Sequence, residues 1–194
     1  LFGPAPGGPM VTPGKYNASL SLKSKGTVST IAGPGTFNVK YVGEQPLSAD
    51  DLQQLVLFQQ QVIALQRELT AVQGLASEVT TKLDAIKSAL DQAPNATMES
   101  RDTVRKLQAD HRVTLRTLNG DNVLRARNEN TPVSIAERVG YAAGATRSII
   151  NKPTGTEREQ YTLASGELAK LRTEVKGRLQ KDVKELENYL DQIG

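Results

Sequence analysis

From Ser48 onward, apolar residues return at steps of three and four. Phe58, Val62, Leu65, Leu69, Val72, Ala76, Val79, Leu83, Ile86 and Leu90 hold that spacing without a gap. A repeat of this period places them on one stripe of an α-helix, the seam of a coiled coil or bundle. Ser48 with Asp51 three residues on is a capping-box variant. The pattern therefore predicts a helix from Ser48 to Gln92, about 65 Å long at the α-helical rise. Gly74, inside it, costs roughly 1 kcal/mol against Ala and is expected to mark a close helix crossing. Pro94 ends the helix, because the residue before a proline disfavours the α region.

A second stripe, Val104, Leu107, His111, Leu115 and Leu118, starts near Thr97 and breaks at Asn119-Gly120-Asp121. A third helix is predicted with Pro132 at its first position, carrying Ile135, Val139, Ala142 and Ile149 and ending at Asn151-Lys152-Pro153. Thr154 and Thr156, with Glu157 and Glu159 behind them, offer overlapping capping boxes for a fourth. Its seam is Tyr161, Ala164, Leu168, Leu171, Val175, Leu179, Val183, Leu186, Leu190 and Ile193. Helices joined by short loops pack antiparallel. The fold class predicted is mainly α: an elongated antiparallel helical bundle over residues 47–194, framed by long first and last helices.

Residues 1–46 follow a different period. Tyr16, Ala18, Leu20 and Leu22 alternate as in a half-buried strand. Ser24-Lys25-Gly26 reads as a tight turn, Val28 and Ile31 as a second strand, and Phe37–Val42 as a third. Three strands with one apolar face need a covering layer. This small sheet must therefore either rest on the helices or complete a domain lost at the cut. The Gly/Pro-rich opening from Leu1 reads as an interior cut of a longer protein.

Composition narrows the function classes. Aromatic residues make up 4% of the chain and Trp is absent, little bulk for the walls of an enzyme pocket. The net charge of +3 is spread over interleaved acids and bases such as Arg67-Glu68 and Lys184-Glu185. That is a solvated helix face rather than a phosphate-binding stripe, so no nucleic-acid partner is assigned. There is no Cys, which excludes disulfides and thiolate metal sites. No apolar run has the length of a membrane span.

No catalytic, cofactor-binding or metal-ligating residue is assigned. His111, the sole histidine, lies on an apolar stripe with no second His or Cys to complete a metal set, and Gln108 stands three residues before it. It reads as a hydrogen-bonded histidine at the edge of the seam. Asp50 with Asp51, and Glu157 with Glu159, sit at helix N-termini and read as caps rather than acid/base pairs. The glycines form turns, not a phosphate loop. The connector from Asn119 to Asn130 is the least routine segment. Asn119, Asp121, Arg125, Arg127, Asn128 and Glu129 are its candidate docking residues, read either as a hydrogen-bonded knot that orders the bundle end or docks a neighbouring domain, or as a plain solvated connector.

Several short segments carry a resemblance. They are Pro13-Gly14-Lys15-Tyr16, Leu118-Asn119-Gly120-Asp121, Arg127-Asn128-Glu129-Asn130-Thr131-Pro132, and Pro153-Thr154-Gly155-Thr156-Glu157-Arg158-Glu159-Gln160-Tyr161. In this order they look like the C-terminal region of bacterial sortilin-like and BNR/Asp-box β-propeller glycosyl hydrolases. The resemblance implies that residues 1–46 are the tail of a truncated β-sandwich-like domain, in an exported protein whose upstream propeller or sandwich domain of the same chain is the partner, acting on an unknown substrate. It implies no catalytic residue here, since the Asp-box pattern is absent, and Gly43-Glu44-Gln45-Pro46 departs from the family's turn after the last strand. The function expected is a non-catalytic scaffold or docking module without a cofactor. The rival is a self-associating coiled-coil structural or adhesion protein, a homo-oligomer built through the heptads.

Overall fold

The long stripe is one helix, and each residue of its seam is buried. In a computed structural model that describes residues 11–44, 46–144 and 151–193, α1 spans Ala49–Gln92. Ser48 caps it as expected: its Oγ accepts from the Asp51 amide at 3.1 Å. All ten predicted seam positions from Phe58 to Leu90 are buried. Gly74 does not mark a crossing. A Cβ placed there meets nothing within 4 Å, so this glycine lies on the outer face.

The chain divides into two units, Leu1–Gln60 with Gly144–Thr154, and Gln61–Ala143 with Gly155–Gly194. In the first, β1 (Gly14–Ser24) and β2 (Thr27–Val39) form an antiparallel hairpin. Lys25 and Gly26 close it with φ of 48° and 84°, the double positive φ of a type I′ turn, which matches the strand twist. Two strands stand where three were predicted. Gly33-Pro34-Gly35 does not break the chain but passes through a register irregularity opposite Ser19. Gly33 is needed there: at φ +96° a Cβ would lie 2.6 Å from the Ala18 carbonyl oxygen. Lys40–Val42 falls outside the strand. The strands are also not half-buried. Leu20 is 60% exposed and Leu22 52%, because among the described residues no layer lies against either face. Tyr16 and Phe37 instead cover one another, rings stacked at 5.9 Å. In the same unit Leu55 and Phe58 are buried, and Lys152 pairs with Asp51 at 3.6 Å.

The second unit holds the helical core. α2 (Met98–Asn119) starts at Thr97, whose Oγ1 accepts from the Ser100 amide, and stops at Gly120 with φ 87°. A short α3 (Asn122–Ala126) follows, then α4 (Ile135–Ala142). Pro132 is not the first helical residue. Ser134 caps α4 instead, in a reciprocal box with Glu137, so the helix begins where a side chain can satisfy its open amides. Ile149 lies outside the described residues. α5 (Gly155–Gly177) begins directly after Thr154, which leaves Thr156 inside its first turn. It continues through a π-helical segment, Arg178–Val183, into α6 (Lys184–Ile193).

Hydrogen bonds and ion pairs show the directions of the long helices. Gln73 reaches Asn119 and Asp84 accepts from Gln108, so α1 and α2 are antiparallel. Glu68 pairs with Arg172 and Lys82 with Glu187, so α5–α6 runs in the direction of α1. This is an up-down-up bundle whose sequential long helices oppose each other. Leu83, Val104, Leu118, Leu168, Val175 and Val183 lie at its centre.

Candidate functional site

The connector predicted to dock a neighbour is ordered by its own side chains. Asp121 caps α3, with Oδ1 accepting from the Val123 and Leu124 amides at 3.0 and 3.2 Å. Its Oδ2 takes Arg116 Nε at 3.1 Å. Arg125 donates to Glu137 Oε1 at 2.8 Å, the carboxylate that also closes the α4 capping box. The Ser134 backbone amide, then its hydroxyl, then Arg125 hold the Glu137 carboxyl below its usual range. Asn119 ties to Gln73 at 2.7 Å. Of the six candidate residues, the structure draws Asn119, Asp121 and Arg125 into this knot. Arg127, Asn128 and Glu129 sit exposed on the following turn, Asn128 at φ 57°. An open groove of about 270 Å³ borders the knot, lined by Val113, Arg116, Leu124, Pro132 and Val133 among others. Val113 and Val133, on its wall, are exposed.

A second polar cluster lies inside the core. His111 on α2 is 2% exposed and Arg178, at the start of the π segment, 8%. Arg178 Nη1 donates to His111 Nδ1 at 3.0 Å and to Thr114 Oγ1 at 3.1 Å. Its Nη2 donates to Glu174 Oε1 at 2.9 Å, which also accepts from the Thr114 hydroxyl at 2.7 Å. On the other side of the ring, His111 Nε2 lies 2.9 Å from the Ala76 carbonyl oxygen and 3.1 Å from Thr80 Oγ1.

These partners fix the tautomer. A guanidinium only donates, so Nδ1 must be the acceptor, and a carbonyl only accepts, so Nε2 must carry the hydrogen. His111 is therefore neutral, and its pKa is pushed down, first by burial and further by the Arg178 charge. The Ala76 carbonyl and Glu174 oppose the shift. Both ring nitrogens are spent. The imidazole has no lone pair left for a substrate proton or a metal unless the cluster opens, and among the described residues no group of His and carboxylates could hold a metal ion. His111 is thus hydrogen-bonded, as the sequence suggests, and buried, with a groove beside it.

The π segment explains how an arginine enters an apolar seam. On α5–α6 the predicted seam runs Leu171, Val175, Leu179, Val183, three steps of four in succession. Strict heptads alternate three and four, so the sequence carries one residue too many. A π turn absorbs one extra residue and keeps both flanking helices in phase. Val175 and Val183 stay buried on either side of it while Arg178 is turned inward. The run of fours was the signal in the sequence for this site.

A groove of about 220 Å³, lined by Thr80, Asp84, Gln108, His111 and Arg112 among others, opens from the cluster to the surface. Arg101 on α2 serves a different end. Its Nη2 donates to the Leu90 carbonyl at 3.1 Å, satisfying an open group at the C-terminus of α1. No protein-family profile, characterised protein or solved structure matches this chain.

Proposed function

We propose that this chain is a non-catalytic helical scaffold of an exported multi-domain protein, docking an upstream domain through the connector between α2 and α4. The observation that carries this reading is the ordered knot of Asp121, Arg125 and Glu137 beside an apolar groove. Preorganised polar groups around an exposed apolar floor are what a docking surface needs, because little side-chain freedom is lost on binding. The core cluster favours the non-catalytic half of the reading, since its hydrogen-bonding capacity is consumed within the protein.

The upstream partner is taken as a β-propeller or sandwich domain, on the strength of the short segments that resemble sortilin-like and Asp-box glycosyl hydrolases. Self-association through the heptads is the weaker reading. The seam that would drive it is already buried within a single chain from Leu65 to Leu90. A photocrosslinking amino acid placed at Arg127 in the natural full-length protein tests the proposal directly. Crosslinks to a domain upstream of Leu1 support it. Crosslinks between copies, or none at all, contradict it.

A further inference from the structure

We propose that the His111–Arg178 contact is a proton-operated latch, which holds α2 to the π segment of the last helix while His111 is neutral and lets go when the ring takes up a proton. Only Nδ1 has a lone pair to protonate, and that lone pair is the acceptor for Arg178 Nη1 at 3.0 Å. Proton uptake therefore abolishes the hydrogen bond and sets two cations against each other in a buried site.

The groups facing the ring offset that charge only in part, the Ala76 carbonyl and Glu174 favouring it against burial and Arg178. From α1 come the Ala76 carbonyl and the Thr80 hydroxyl, with Asp84 on the wall of the adjoining groove. Asp84 already accepts from Gln108 at 2.7 Å. From α2 come Thr114, which is neutral, and Arg112, a further cation on the groove wall. From the last helix come Arg178 itself and Glu174, whose Oε1 is held by Arg178 and Thr114. The protein thus binds the proton only with the contact broken. The groove beside the ring gives it a route from solvent.

The element that is released is suited to respond. A π turn has wider, less favourable backbone hydrogen bonds than an α-helix, and Arg178 is the side chain that anchors this one from within. The sign follows from linkage. A histidine whose folded pKa is depressed gives stability that is complete above its ordinary value and lost as pH falls below it. His111 is the sole histidine of the chain, so this pH window belongs to one side chain.

The test is hydrogen exchange of the full chain, read as protection factors for the amides from Val175 to Val183, with ring-nitrogen NMR of His111. Protection should fall by up to about tenfold per pH unit below about 6.5, and His111→Gln, which takes no proton, should remove that dependence. Should His111→Gln not fold, the wild-type spectrum decides alone. An Nε2–H tautomer at neutral pH, with protection lost as the ring titrates, supports the latch. An Nδ1–H tautomer, protection unchanged across the range, or equal pH dependence in His111→Gln overturns it.

Discussion

Arg178 carries a full charge into an apolar seam, and the cost is met by three acceptors rather than one. Its guanidinium spans His111 Nδ1, Thr114 Oγ1 and Glu174 Oε1. The two charged members of the cluster are not equivalent. Arg178 is buried with its side chain 9% exposed, while Glu174 is 52% exposed. Removing the buried partner strands the acceptor of a side chain only 2% exposed, whereas removing the exposed one is largely repaired by solvent. Arg178→Met should therefore lower stability by about 1–3 kcal/mol, the cost of an unsatisfied buried group. Glu174→Gln should cost less than about 1 kcal/mol. Urea unfolding at neutral pH measures both, and equal losses would contradict this division of roles. A single-residue signal is also missed at the start of α4: Pro132 reads as its first position, while the Ser134–Glu137 capping-box spacing, present in the sequence, marks where the reciprocal hydrogen bonds start it.

Among the elements, the long helices were legible because burial imposes a period on every turn. Each of the ten α1 seam positions could be assigned from spacing alone, and a single slipped residue would have exposed all those after it. The hairpin was less legible for the converse reason. Alternation of Tyr16, Ala18, Leu20 and Leu22 says which side chains share a face of a regular strand. It does not say whether anything covers that face, nor that the register shifts at Ser19. The π segment lies between these cases. Its extra residue was written in the fours from Leu171 to Val183, but which residue would turn inward depended on His111 and Thr114 across the core. If the segment exists to absorb one residue, deleting the exposed Lys181 should close it into an α-helix. Val183 and Leu186 would keep their phase with Leu168 and Val175. Cooperative thermal unfolding with undiminished helical circular dichroism is the expected result. Loss of the unfolding transition would mean that the π turn has another cause. The connector was located from its polar density, while the groove beside it depends on Val113 and Val133 meeting across elements, which no local pattern records.

At the scale of the molecule, the fold is decided by where the heptad stripes find partners. A stripe of this length on an isolated helix would drive association with another chain. Here the stripes of α1 and α5–α6, with α2 between them in direction, close on one another. Polar ties such as Gln108 to Asp84 and Arg172 to Glu68 fix the pairing. No helix among the described residues is long and apolar enough to cross a membrane. The scaffold reading stands or falls on that internal closure, because a module that docks a neighbouring domain must first complete its own core. Sedimentation equilibrium of the chain at neutral pH is the direct test. The account predicts the mass of one chain, 20.9 kDa, unchanged across the concentrations used. A stable dimer or trimer that dissociates only on unfolding would show that the seam is shared between chains, and would contradict it.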